Sequence, residues 1–292
     1  MIIDYHTIST TRGNKMITDK QREERKLGIG GSDLAIILGL SNYMTPYQLY
    51  LDKIGEGEIR EETEQQYWGN RIEPLIRQEF EIRNNVKVEE RETIIHPMYD
   101  FLRGNLDGFI PELNAVLEVK CSNSFMSHEW GEDGSDVIPM QYLVQVAHYC
   151  AITNAESAFI AVLIGGNQYR QFKYTRDLEL EMHLIEAARK FWECVVNRTP
   201  PDATNLTDLR IMFPNHIERK SVTVNEDVKE HVSKLFNTRL QKKALEDVEE
   251  KTKFNIMQFM TDSEVLLDDA GKELISWKTN KRGSRTFLIK GI

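Results

Sequence analysis

Asp107 is separated by ten residues from Glu118, and Lys120 follows at the next position but one, so two carboxylates and an ammonium lie close along the chain. Each half sits in an apolar, strand-like segment, 101–110 and 115–120. Side chains alternate across a strand, which turns Glu118 and Lys120 to one face and Val119 to the other. Two carboxylates and a lysine then meet at one sheet edge. Hard oxygen ligands of this kind hold Mg²⁺, and a cation beside them can orient water or offset charge developing on a phosphodiester. The spacing alone leaves two plainer readings open: Asp107-Gly108 is a favoured hairpin dipeptide, and Glu118 with Lys120 could form a solvent-facing ion pair.

The surrounding elements must position these groups. Leu27 to Asp33 reads as a glycine-rich loop leading into a short helix with Ser32 as its N-cap. The exposed amides of such a helix start can bind an anion, although the spacing fits neither the dinucleotide fingerprint nor the Walker loop. Thr45-Pro46 opens a second helix that ends near Gly55. Residues 66–83 carry Trp68, Ile72, Leu75, Ile76 and Phe80 at helical spacing, with Glu73 on or beside the apolar stripe. That glutamate either pairs with Arg77 one turn on or serves a site. Residues 86–95 read as a strand, which with the strands around Asp107 and Glu118 makes a meander. Residues 139–153 form a buried helix with Gln141, Gln145 and His148 along one side. His148 near Cys150 reads as helix packing. A strongly apolar strand, 157–165, pairs with 169–174 across Gly165-Gly166-Asn167, and the helix 179–197 stops at Pro200-Pro201. Together these predict an α/β core on a mixed sheet flanked by helices.

Among 292 residues, 37 are Lys or Arg and 46 are Asp or Glu, a net charge of −9. That balance argues against a nonspecific nucleic-acid coat, but local basic clusters, Lys20 to Lys26 and Lys278 to Lys290, can still grip phosphate. No run of residues approaches the length of a membrane span. The opening Met1-Ile2-Ile3-Asp4-Tyr5-His6 has no leader pattern, and three scattered cysteines fit a reducing compartment, so a cytosolic location is expected. Neither cysteine nor histidine spacing supports zinc.

The character of the chain changes after Pro201. The expected division is 1–205 for the core and 206–292 for an accessory region. In the latter, 206–219 reads as a linker and 225–251 as a charged helix. Two short strands follow around Gly271, and then a basic tail with Lys278, Lys281, Arg282, Arg285 and Lys290.

Five words occur in order: Leu27-Gly28-Ile29-Gly30-Gly31-Ser32-Asp33, Trp68-Gly69-Asn70-Arg71-Ile72-Glu73-Pro74, Asn105-Leu106-Asp107-Gly108, Leu117-Glu118-Val119-Lys120-Cys121, and Tyr142 through Tyr149. Over roughly residues 22–200 this resembles the YqaJ-type viral recombinases, the alkaline exonucleases that include phage lambda exonuclease, on the PD-(D/E)XK restriction-endonuclease-like fold. The resemblance implies a 5′-to-3′ exonuclease that digests one strand of duplex DNA from its ends. Its 3′ single-stranded products would serve homologous recombination with a single-strand annealing protein. It implies two Mg²⁺ ions, with Mn²⁺ as a substitute, held by Asp107, Glu118, the Val119 carbonyl and Glu73. Lys120 would be the catalytic lysine and Gln145 would help place the attacking water. Arg25 and Ser32 match residues that bind the terminal 5′-phosphate, and Asn105 stands where the phage enzyme has a serine for that phosphate. The resemblance also implies a phage or prophage protein acting in a bacterial cytoplasm, and homo-oligomers that in this family can be ring-shaped trimers. The alternatives are a structure- or site-specific endonuclease on the same fold and a non-enzymatic DNA-binding scaffold.

Overall fold

The computed structural model describes residues 19–58 and 61–290, with side chains from Glu23 onward. The opening residues Met1 to His6 and the side chains of Lys20 and Arg22 lie outside what is described. The chain divides into two compact units, the first ending at Asn215 and the second starting at His216.

The first unit opens with α1 (Asp19–Lys26), α2 (Gly31–Ile37) and α3 (Pro46–Ile54). Thr45 caps α3 in a reciprocal box: its hydroxyl accepts from the Gln48 amide and Gln48 Oε1 accepts from the Thr45 amide, both at 3.1 Å. Pro46 occupies the first turn, where its missing N–H costs nothing, and Gly55 closes the helix at φ 81°. α4 (Glu64–Asn84) buries Ile76 and Phe80, while Trp68 and Leu75 of the same periodic pattern stay exposed. The N-cap of α2 is Gly30 rather than Ser32, because the Asp33 carboxylate accepts from the Gly30 amide at 2.8 Å and so fixes the start two residues earlier.

The expected strand 86–95 shortens to β1 (Ile94–Ile95), paired with β2 (Arg103–Gly104). Residues 89–93 are charged or polar and all exposed, so no face is available to bury, and only Glu89 bridges to Phe109. β3 (Gly108–Ile110) and β4 (Ala115–Ser122) run antiparallel. α5 (Met140–Thr153) crosses over to β5 (Ser157–Ile164), parallel to β4, and β6 (Gln168–Thr175) returns antiparallel through the left-handed Gly165 and Gly166. The sheet order β3-β4-β5-β6 makes the expected mixed α/β core.

β4 divides the interior by strand alternation. Ala115, Leu117 and Val119 pack with Ile76 and Phe80 of α4. Val116 joins the larger cluster on the other face, which includes α5 and α6 (Leu178–Val196). Residues 206–219, expected as a linker, contain α7 (Leu206–Met212), capped by Asn205. Asp208 in this helix is fully buried and accepts from Thr45 Oγ1 at 2.7 Å and from the Thr204 amide and hydroxyl, each at 2.9 Å, which ties α7 into the first unit.

The second unit is α8 (Glu226–Met260) followed by an antiparallel sheet of β7 (Val265–Leu267), β8 (Glu273–Thr279) and β9 (Arg285–Ile289). The helix runs nine residues past its expected end because no breaker precedes Thr261, and Met260 is buried. The expected basic tail is instead the β8–β9 hairpin. Arg285 lies over the Trp277 ring at 3.5 Å and donates to the Trp277 carbonyl at 3.0 Å, and Lys278 pairs with Glu264 at 2.9 Å. Among the described residues no helix is long and apolar enough to cross a membrane.

Candidate active site

The site forms where a strand ladder runs out. β3 pairs with β4 only as far as Gly108 opposite Leu117, so the Val119 amide has no strand partner on that side. It donates instead to Asp107 Oδ2 at 2.7 Å. Asp107 is also held from behind, since Arg77 Nη1 of α4 donates to its carbonyl at 3.1 Å while Arg77 Nη2 pairs with Glu90 at 2.7 Å. Arg77 therefore faces Asp107 and Glu90.

Glu118 points to the opposite face of β4 from Val119 and is 1 % exposed. Its Oε1 accepts from Gln145 Nε2 of α5 at 2.6 Å and is in contact with Lys120 Nζ, as strand alternation requires. Gln145 Nε2 also donates to Tyr149 Oη at 3.1 Å, and Lys120 lies 5.2 Å from the Tyr142 ring centroid. Glu118 Oε2 is buried without a hydrogen-bond partner.

Burial raises the Glu118 carboxyl to about 8, and the nearby Asp107 charge adds to the effect against the opposing pull of Lys120. Asp107 is also raised by burial, partly offset by Lys120 and the Val119 amide. Burial alone would push Lys120 down, but the carboxylates of Glu118 and Asp107 outweigh it and hold the ammonium above its ordinary value. Two carboxyls thus compete for charge while the cation beside them stays charged.

The other expected site residues are distributed around this centre. Glu73 is half-buried on α4, and its charge raises both Glu118 and Cys121. Ser32 is exposed in the first turn of α2, which packs directly on the site: a Cβ built at Gly31 would lie 2.8 Å from Gln145 Cγ and 2.9 Å from Tyr149 Cε1. Arg25 is exposed near the end of α1, and its carbonyl accepts from Lys53 Nζ at 2.7 Å. The same ammonium pairs with Asp33 at 2.7 Å, joining the α1 end to the α2 start. Asn105 is exposed, and its Oδ1 accepts from Thr93 Oγ1 at 2.7 Å. His148, as expected of a packing residue, is buried with Nε2 2.9 Å from the Arg103 carbonyl. Sequence reasoning missed the roles of Arg77 and Tyr149. Tyr149 is recoverable as the residue one helical turn after Gln145, whereas the Arg77 contact is long-range and leaves no local signature.

An orphaned carboxylate oxygen beside a second acid suits a divalent cation, which would relieve both the unsatisfied atom and the mutual repulsion. Among the described residues no group of three or more His, Cys, Asp or Glu side chains converges to hold a metal. A cation on Asp107 and Glu118 would thus complete its shell from backbone carbonyl, water or phosphate, a pattern Mg²⁺ commonly adopts.

Comparison with known proteins agrees with this fold. The model of the YqaJ-like viral recombinase domain matches residues 21–156. The "Uncharacterized protein YqaJ" of Bacillus subtilis (strain 168) is 39% identical over 185 residues, 62% of this chain, and the match spans 57% of that relative's length. The crystal structure of an alkaline exonuclease from Laribacter hongkongensis has a TM-score of 0.52 at 18% identity, covering 62% of this chain and 94% of that one. Its complex with dAMP gives 0.51 at 19% identity with the same coverage. What is shared with these two structures is the fold, a mixed sheet flanked by helices.

Proposed function

We propose, for a chain whose residues 21–156 match the YqaJ-like viral recombinase domain, that the protein is a Mg²⁺-dependent exonuclease that digests duplex DNA from its ends in the 5′-to-3′ direction. The observation that carries this reading is the buried, unpartnered Glu118 Oε2 beside Asp107, where β3 stops pairing with β4. A solvent-facing ion pair does not account for it: without a cation the two buried carboxyls stay together only through the proton that burial keeps on Glu118 beside Asp107, and a divalent cation would take that proton's place.

In this reading Asp107 and Glu118, with the Val119 carbonyl, would hold the metal, which when bound lowers the pKa of water and offsets charge on the phosphate, while Glu73, expected as a further ligand, lends its negative charge to the site rather than a third carboxylate. Gln145 fixes one Glu118 oxygen so that the other faces the reaction. Lys120 keeps its proton against the two carboxylates, so it serves as an orienting and charge-offsetting group rather than as a base. Arg25, Ser32 and Asn105 bind the terminal 5′-phosphate, and the packing of Gly31 on Gln145 supports a short path from that pocket to the scissile bond. A duplex end, a single-strand annealing protein and further copies of the chain are the proposed partners.

The test is digestion of linear duplex DNA labelled separately at its 5′ and 3′ ends, beside closed circles, with Mg²⁺ or EDTA. Release of 5′ label from linear DNA alone, only with Mg²⁺, is the expected result. Cutting of circles would assign an endonuclease, and folded protein that binds DNA without any product would assign a scaffold.

A further inference from the structure

The second unit carries a surface independent of the nuclease reading. α8 is 35 residues long, and every residue of it from Glu226 to Thr252 is exposed. Residues taken at alternating intervals of four and three lie along one stripe of a helix and can face a partner helix together. The first half of one such seam in α8 is Val232, Phe236, Arg239 and Lys243, and its second half is Glu246, Glu250, Lys253 and Met257. Read along the seam, two apolar residues precede two bases, then two acids precede a base and an apolar residue.

This order is complementary to itself when reversed. About the midpoint between Ala244 and Leu245, Lys243 falls opposite Glu246, Arg239 opposite Glu250, and Val232 opposite Met257. Phe236 falls opposite Lys253, whose ammonium suits an aromatic face. Parallel pairing would instead set Arg239 on Arg239 and Glu246 on Glu246. Among the described residues Arg239, Lys243 and Glu250 make no ion pair and Glu246 reaches Lys242 only at 3.7 Å, so the four central charges of the seam remain available, whereas Lys253 is half-buried and pairs with Glu249.

We infer that α8 binds a second copy of this chain, the two helices antiparallel about a two-fold axis between Ala244 and Leu245. Such a contact is isologous, each copy giving the same residues to the other. The paired span, 232–257, is roughly 39 Å long at 1.5 Å per residue. Its strength rests largely on charge, so it weakens as salt rises.

The full chain and two variants, R239E/K243E and E246K/E250K, are to be sized by sedimentation and native mass spectrometry over a concentration series. The first variant has an all-acidic central seam and the second an all-basic one, so neither pairs with itself. The wild type is expected at twice the mass of either variant alone, and an equimolar mixture of the two is expected to recover the doubled mass. Circular dichroism checks that α8 stays helical. Should a variant lose helix, the fourfold exchange R239E/K243E/E246K/E250K inverts every central charge, keeps the complementarity and must pair. One mass for all proteins, variants that associate as well as the wild type, or a fourfold exchange that stays single would overturn the assignment.

Discussion

Gln145 donates to the same Glu118 oxygen that Lys120 contacts, at 2.6 Å, so one carboxylate oxygen is held twice while its twin is buried without a partner. In the proposed reading the asymmetry makes Gln145 a positioning residue, with the Glu118 carboxylate as its object. Gln145→Ala should lower kcat by about 10- to 100-fold, the usual cost of losing a group that orients a metal ligand, with a smaller change in KM. Steady-state digestion of a labelled duplex measures this. A variant that changes only KM would place Gln145 in substrate binding.

Asp107→Asn and Glu118→Gln should each abolish turnover while leaving DNA binding measurable by gel shift. Removal of divalent cations should do the same to the wild type. Glu118→Gln has a second expected effect, because it removes the ionisation of a carboxyl that burial raises to about 8. The folded state of the metal-free wild type holds this proton between the unfolded carboxyl value and about 8, so stability falls as pH rises through that window. The variant should show a flatter profile in urea denaturation from pH 5 to 9.

Gly31→Ala tests the packing between α2 and the site. The added methyl would sit 2.8 Å from Gln145 Cγ and 2.9 Å from Tyr149 Cε1. Overpacking of this kind costs about 1–3 kcal/mol, and here the displaced side chain is Gln145 itself. Thermal denaturation should show the loss, and activity should fall further than for Gly69→Ala, whose position within α4 has open space around it. Equal effects of the two substitutions on activity would separate α2 from the chemistry.

His148 sets an acid limit on stability. Burial lowers its pKa to about 4, despite the Arg103 carbonyl that favours the charged ring. The folded state keeps the ring neutral while the unfolded chain takes up a proton below about 6.5, so the stabilisation is complete above that pH and is lost as pH falls from there to about 4. The loss is on the order of 3 kcal/mol at 1.36 kcal/mol per pKa unit. Denaturation midpoints between pH 7 and 4 should drop more steeply for the wild type than for His148→Gln. His96, also lowered by burial, contributes in the same direction and remains in both proteins.

The parts of this molecule that were legible in the sequence are those written by local chemistry. The Thr45-Pro46 start and Gly55 stop of α3, the apolar run of β5 and the two glycines after it each state their structure within a few residues. The likeness of five words to a family located Asp107, Glu118, Lys120 and Gln145 together, which spacing alone left ambiguous. What was not legible depends on distant partners. Residues 86–95 carry residues that favour strands, and Val86 and Val88 pack on the core, but the charged and polar run 89–93 between them and Ile94 has no face to bury. Residues 206–219 look like a linker until Asp208 finds Thr45. The β8–β9 hairpin was hidden by reading its five cations as a tail, although Asn280 and Gly283 mark the turn and 285–289 supply a strand.

The end of β3 at Gly108 has a consequence for what can be changed at the centre. By accepting from the Val119 amide, Asp107 replaces the ladder bond that a longer strand would have supplied. One carboxyl therefore serves at once as a splice in the backbone and as an acid. Its removal as alanine would loosen the strand that carries Glu118 and Lys120, and the whole charged group would drift with it. Asparagine at 107 retains an oxygen for the amide and discards only the charge, so the paired loss in alanine against asparagine divides architecture from chemistry at a single position.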